Sequence, residues 1–139
     1  MNSLPPSQPV ITEEVRIVDA QGHPRILLSA WDGVPTIVLL NPDGKPAMTA
    51  RTDASGRPAV TLANPLASGP GVVLEIDDKG AHVKFDRPGG ASAYLFLNNQ
   101  GGSGTVLIDT EGRRRLQATV SVDGDAKIEQ LGPDGKPLP

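Results

Sequence analysis

The stretch Asn41-Pro42-Asp43-Gly44-Lys45 lies between an apolar run, TIVLL, and a second run, PAMTA. Asn at the first turn position can bond its own backbone, and Pro fixes φ at the second. Asp is tolerated at the third, and Gly accepts the left-handed conformation at the fourth. This order is typical of a type I turn followed by a bulge, which is a common connection in β-hairpins. The stretch therefore predicts a hairpin corner and not a chemical site.

The same turn pattern recurs along the whole chain. An Asp or Asn precedes a Gly by three residues at Asp19/Gly22, Asn41/Gly44, Asp53/Gly56, Asp77/Gly80, Asp86/Gly89, Asn98/Gly101 and Asp109/Gly112. With Gly33, Gly69, Gly124 and Gly135 as weaker copies, successive turn glycines stand 9 to 13 residues apart. A regular step of this kind indicates a tandem repeat, and it leaves room for a strand of about six residues between turns.

The segments between the turns have strand character. VRIV, RILLS, VVLEI and LQATVSV are rich in β-branched residues, and the last alternates apolar with polar positions. No segment combines a helical apolar period with caps. We therefore predict an all-β fold, an antiparallel up-and-down meander of about 12 short strands built from tandem hairpins.

Two segments are apolar at successive positions, Ile37–Leu40 and Tyr94–Leu97. A strand that is apolar on both faces needs cover on both faces, which a single sheet layer cannot supply. Either the sheet closes on itself as a barrel or sandwich, or copies of the chain cover one another. We favour an intertwined or abutting homo-oligomer, with a trimer as one form.

The predicted domain organisation is simple. Residues 1–9 are expected to be a disordered N-terminal segment, 10–135 a single β-hairpin-repeat domain, and 136–139 a frayed C-terminus. A length of 139 residues suits one domain.

Composition narrows the classes of partner. A net charge of -3 gives no reason to expect nucleic acid, and no apolar run reaches the roughly 18 residues of a membrane span. The N-terminus has no signal-peptide pattern, so the compartment stays open between the cytoplasm and a surface assembly. Cys is absent, which excludes disulfides and thiolate chemistry.

Candidates for catalysis or metal binding are weak. His23 and His82 lie several repeats apart and each flanks a turn or a strand start. The recurring Asp residues are explained by turn capping, and calcium binding would have Asp77, Asp78, Asp123 and Asp125 as its least unsuitable ligands. We therefore predict no enzyme activity, no cofactor and no metal site.

Two features are candidates for a binding surface. Trp31 stands directly before the turn DGVP, where it could anchor a partner or fill a gap at one end of a small core. Arg113, Arg114 and Arg115 form the one basic run, which could bind a partner or protect a sheet edge.

The segment from Val15 to Asn64 resembles the tandem hairpin repeats of uncharacterised bacterial proteins. The shared pattern is an apolar strand, Asp-x-x-Gly-x-Pro/Arg, a second strand, then x-x-Gly-x-Pro, with a period of about 22–23 residues. It weakens from Pro65 to Gly102, where we expect function to lie if the array has any beyond its shape. Related-looking repeats occur in bacterial surface and phage-tail proteins, often as trimers.

The resemblance implies the fold and carries no activity. Because no catalytic arrangement stands out, we predict a non-enzymatic structural or binding module, such as part of a bacterial or phage surface assembly by analogy with those repeats, whose partners are copies of itself and an unknown protein or glycan. The alternative is a β-barrel that binds a small ligand in a cavity lined by residues such as Leu39, Leu95 and Leu97.

Overall fold

The computed structural model describes residues 8–139, and these form one antiparallel sheet of eleven strands. The strands are β1 (Glu14–Val18), β2 (Pro24–Ser29), β3 (Thr36–Leu40), β4 (Pro46–Thr52), β5 (Pro58–Leu62), β6 (Gly71–Ile76), β7 (Gly80–Asp86), β8 (Ser92–Asn98), β9 (Ser103–Ile108), β10 (Arg114–Val120) and β11 (Ala126–Gln130). Their order in the sheet is their order in the sequence, so the predicted all-β, up-and-down meander is confirmed. Residues 1–7 of the predicted N-terminal segment lie outside the described residues.

The strand count is one fewer than the count of turns predicts. After the turn at Gly135 the chain makes only an isolated bridge between Leu131 and Pro137, and the Leu138 N–H donates to the Gln130 carbonyl at 2.8 Å. Pro137 and Pro139 have no N–H to give to a ladder. The expected twelfth strand is therefore reduced to a bridge.

Most of the predicted hairpin corners have the expected geometry, but at the Asp77/Gly80 corner Gly80 begins β7 and its N–H donates to Asp77 Oδ1 at 3.1 Å. The Gly44 N–H donates to the Asn41 carbonyl at 2.9 Å, the Lys45 N–H donates to Asn41 Oδ1 at 2.9 Å, and Gly44 has φ +74°. At other turns the opening side chain accepts N–H groups from residues two and four positions later: Asp19, Asp53, Asn98 and Asp109. Turn capping therefore accounts for the recurrence of these residues.

One predicted corner is wrong by a residue. Asp86 is the last residue of β7 and pairs with Ser92, and the turn is closed by the Gly90 N–H donating to the Arg87 carbonyl at 3.2 Å. Gly89 and Gly90 both have positive φ, so the second glycine allows the turn to form one position later.

Bulges occur in three hairpins toward the ends of the array, although the last hairpin, β10–β11, has none. The pairing register shifts in β1–β2, β3–β4 and β9–β10, and no shift occurs from β4 to β9. Arg25 lies in the first bulge, where it donates to Asp19 Oδ2 at 2.8 Å and to the Asn41 carbonyl at 2.9 Å. Arg115 lies in the last, where it donates to the Leu131 carbonyl and to Asp109 Oδ2. Each arginine thus joins two successive turns at the same end of the sheet.

The sheet is open and one layer thick. β1 and β11 pair on one side only, and since both are odd-numbered strands of a meander they run in the same direction. Closing the sheet would require a parallel pair, unlike the ten antiparallel pairs present. Among the described residues, Val106 and Leu131 are the only large apolar side chains that are buried. No helix in residues 8–139 has the length and apolar character to cross a membrane.

Candidate functional site

One face of the sheet is almost wholly apolar. Residues paired across an antiparallel ladder share a face, and alternate residues along a strand share it too. Two full rows therefore lie side by side on this face, which we call the apolar face. From β1 to β11 the first row is Ile17, Ile26, Leu39, Met48, Leu62, Val72, Phe85, Ala93, Leu107, Leu116 and Gln130, and the second is Val15, Leu28, Ile37, Ala50, Val60, Leu74, Val83, Leu95, Thr105, Ala118 and Ile128.

The side chains of the apolar face are exposed in the single chain. Leu74, in the central strand, is 51% exposed, and Leu95 is 61% exposed. Apart from Val18, every exposed large apolar side chain that lies in a strand belongs to this face. Scattered exposed apolar residues are ordinary, but a contiguous patch of this extent indicates an interaction surface.

Total surface area leads to the same conclusion. A monomeric globular protein of 14.5 kDa exposes about 6,900 Å², whereas this chain exposes 10185 Å². Seven residues of any unfolded chain expose at most about 1,100 Å², so residues 1–7 do not explain the excess. The sheet is therefore incomplete as a globular unit.

Charge is confined to the other face and to the turns. Both rows of the apolar face are free of Asp, Glu, Lys and Arg, and Thr105 and Gln130 are their only polar residues. The opposite face, which we call the mixed face, carries ion pairs within or across strands, such as Lys84 with Asp86 at 2.9 Å and Lys127 with Glu129 at 2.6 Å. Water can solvate the mixed face, while the apolar face has nothing for it to bind.

A groove of about 590 Å³ lies on the apolar face over β1 to β5. Its floor includes Val15, Leu28 and Ile37, and Pro58 and Val60 continue it on β5. The most exposed apolar side chains of the face lie in the other half of the sheet: Leu95, Leu97 and Ile128, which is 78% exposed. The apolar face is thus recessed in one half and prominent in the other.

A second groove, of about 700 Å³, lies on the mixed face over β7 to β10. The Tyr94 and Phe96 rings are in contact there, with centroids 6.0 Å apart and planes at 42°. Arg114 Nη2 donates to the Tyr94 hydroxyl at 3.0 Å, and His82 Nε2 lies 2.8 Å from Glu75 Oε1. Tyr94, Arg114 and His82 are therefore bonded within the chain.

The aromatic pair of the mixed face covers a small local core. Phe96 pairs with Gly104, and a Cβ on Gly104 would lie 2.9 Å from the Phe96 ring. Tyr94 pairs with Val106, whose exposure is 2%. Packing an aromatic ring over a cross-strand glycine supplies contacts that the glycine lacks. This explains why Tyr94–Leu97 is apolar on both faces.

Trp31 and the arginine run, the candidates for a binding surface, lie far apart in the structure. Trp31 lies in a single 3₁₀ turn, Trp31–Gly33, between β2 and β3, and it is 58% exposed, so the expectation that it fills a gap in a core is wrong. The arginine run follows the turn between β9 and β10, at the opposite end of the strands.

Each of the three arginines is engaged within the chain. Arg113 contacts Asp109 and Glu111, Arg114 contacts Tyr94, and Arg115 joins Asp109 to Leu131. Because β10 pairs with both β9 and β11, the expectation that this run protects a sheet edge is wrong.

The turn carboxylates are specialised for the fold. Backbone N–H donation, chiefly from His23 to Asp19 and from Arg113 to Asp109, together with the neighbouring arginine side chains lowers the pKa of each carboxyl to about 2. Within residues 8–139 no three His, Cys, Asp or Glu side chains come together in a way that could hold a metal ion. These carboxylates act on the N–H groups of their own turns.

Comparison with known proteins finds no family model and no curated protein that matches this chain. The antiparallel meander is consistent with tandem hairpins, which is the coarse content of the resemblance noted in the sequence.

Proposed function

We propose that this protein is a non-enzymatic structural module that assembles with copies of itself through its apolar face. The observation that carries the proposal is the continuous, charge-free apolar face that spans all eleven strands and is exposed in the single chain. Burial of apolar surface is the dominant favourable contribution to folding and to most protein association.

The arrangement of polar groups supports a structural role. Asp19, Asp53 and Asp109 accept N–H groups of the turns that they open, and His82 is paired with Glu75 across two strands. A general acid or base needs a side chain free to reach a substrate, and these side chains are instead bonded within the sheet.

The barrel that binds a small ligand has less support. Leu39, Leu95 and Leu97 all lie on the apolar face, as a barrel lining requires. The unpaired edges of β1 and β11 run in the same direction, however, so closing the ladder would depart from its antiparallel pattern. A place in a bacterial or phage surface assembly remains part of the proposal and rests on the sequence resemblance. The predicted protein or glycan partner likewise rests on the sequence alone.

Two variants of adjacent residues test the proposal. Leu62→Lys introduces a charge into the apolar face, and Thr61→Lys introduces the same charge on the mixed face of the same strand. We expect light scattering to give an oligomer for the wild type and for Thr61→Lys, and a monomer or a largely unfolded chain for Leu62→Lys. An oligomer that tolerates Leu62→Lys as well as Thr61→Lys would overturn the proposal.

A further inference from the structure

We propose that two copies of this chain pack their apolar faces together as a β-sandwich, about a two-fold axis that runs parallel to the strands over β6. The inference rests on the proposed function, and it adds the number of copies, their orientation and the contacts between them. In this arrangement β6 faces β6 of the partner. The other strands face in pairs that are equally far from β6, so that β1 faces the partner's β11 and β2 faces the partner's β10.

The size of the apolar face suits a stable dimer. Eleven strands spaced by about 4.8 Å and about six residues long give a face of roughly 50 by 20 Å. Covering it in both copies buries on the order of 2,000 Å², which lies at the boundary between standard and obligate interfaces. One facing sheet is enough to cover one sheet face, so a pair is the smallest closed assembly.

The charge distribution favours a second copy over a lipid surface. The face itself is charge-free, but the turns β2–β3, β4–β5, β6–β7 and β10–β11 at one end of the sheet carry six Asp against one Arg and one Lys, so this rim is acidic. A rim of this sign is repelled by anionic lipid headgroups. In a face-to-face pair the rims stay at the ends of the strands, where they are in water.

Shape selects the orientation of the axis. With the axis parallel to the strands, the β1–β5 half of one copy faces the β7–β11 half of the other. The recessed half with its groove of about 590 Å³ then receives the prominent half that carries Leu95, Leu97 and Ile128. An in-plane axis perpendicular to the strands would instead place groove over groove.

Side-chain sizes are complementary at some positions of this arrangement, while at others large residues meet, such as Leu39 with Leu107. β4 faces the partner's β8, so the small residues Ala50 and Thr52 of β4 meet the large Leu95 and Leu97 of β8. β2 faces the partner's β10, so Leu28 meets the small Ala118. Close packing needs large residues opposite small ones.

Two spin labels measure the axis directly. The chain has no Cys, so Gln21→Cys places one label in the β1–β2 turn and Lys79→Cys places another in the β6–β7 turn. From strand and sheet spacings we expect the two Gln21→Cys labels of a dimer to lie roughly 40 Å apart, and the two Lys79→Cys labels roughly 15 Å apart. Each labelled variant should retain the mass of the wild type, which is the control for perturbation by the label.

The possible results separate the two proposals. A long distance for Gln21→Cys with a short one for Lys79→Cys supports the sandwich. Similar intermediate distances at both sites, or a short distance at Gln21→Cys, overturn this arrangement but leave self-assembly standing. A labelled chain whose mass is that of a monomer, with no dipolar coupling at either site, overturns both.

Discussion

The bulged hairpins β1–β2, β3–β4 and β9–β10 differ in turn geometry from the unbulged pairs between β4 and β9, while all share one apolar face. In β1–β2 and β9–β10 the bulges accommodate Arg25 and Arg115, which bond the carboxylates of their own turns and the backbone of the next turn at that end of the strands. In the middle, the ladder has no bulge between β4 and β9, and the β7–β8 turn is moved by one residue.

The residues that form the apolar face stay in the same rows despite these differences between the turns. Leu39 in β3 and Phe85 in β7 occupy the same row, although the turns next to them differ. Turn geometry can therefore vary from hairpin to hairpin without altering which residues share a face, provided that the register is kept. The sequence therefore meets two separate requirements. Each turn needs residues that suit its own geometry, and all eleven strands need apolar residues at the positions that share one face.

The largest expected contrast between the two regions concerns turn glycines. In Gly80→Ala the new Cβ would meet the Leu97 carbonyl and lie 2.6 Å from Asn98 Cα, at a φ of +149°. In Gly44→Ala it would meet nothing within 4 Å, at a φ of +74°. We expect Gly80→Ala to destabilise by roughly 4 kcal/mol through strain and overpacking together, and Gly44→Ala by about 1 kcal/mol through left-handed strain alone.

Urea unfolding of the two glycine variants gives the comparison. Equal losses of stability would mean that the packing of the β6–β7 corner against β8 is not as tight as described.

The next largest effect is expected from truncating leucines of the apolar face, which both regions share. Leu95→Ala in the middle and Leu39→Ala near the end both truncate the apolar face at side chains that are 61% and 38% exposed in the single chain. If the face is covered by a second copy, each should cost about 3 kcal/mol, as for a buried leucine. Thr61→Ala on the mixed face should cost no more than about 0.5 kcal/mol.

Unfolding free energies at a fixed protein concentration provide the readout for the leucine variants. Costs that follow the single-chain exposure, with Leu95→Ala the milder, would contradict a covered face.

The smallest effect concerns acid stability at the end hairpins. The folded-state pKa of Asp109 is about 2, below the ordinary value of 3.8, so its contribution to stability is present above pH 4 and is lost as the pH falls toward 2. Asp109→Asn should keep the turn, because Asn98 accepts the N–H groups at the equivalent two positions of its own turn. The variant should lose the dependence of stability on pH. Asn98→Asp should gain a dependence of the same sign.

Unfolding in urea between pH 5 and pH 2 measures both changes. An Asp109→Asn variant with the same acid sensitivity as the wild type would show that this carboxylate does not contribute.

Local chemistry made most of the fold predictable from the sequence. The Asn41 corner depends on residues within five positions, and its bonds are those predicted. The irregular-looking Asn98 corner proved regular for the same reason, because its side chain caps the turn. The error at Asp86 arose because adjacent glycines leave the turn position undetermined.

The interaction surface was only partly predictable. Apolar positions on both faces of Ile37–Leu40 indicated missing cover, but the continuous face depends on the register of ten strand pairs, which single segments do not give. The alternation along each strand carried that signal, since every second residue is apolar or small in all strands except β11, which ends in Gln130. Trp31 and the arginine run were conspicuous by residue type, yet they lie at opposite ends of the strands.

The most direct test of the central claim is the absolute mass of the unmodified chain by light scattering across a wide range of concentrations, with Leu62→Lys as the contrasting variant. We predict a species of two chain masses, each 14.5 kDa, that persists on dilution. A stable, folded monomer at all concentrations would contradict the account, because it would mean that the apolar face needs no cover.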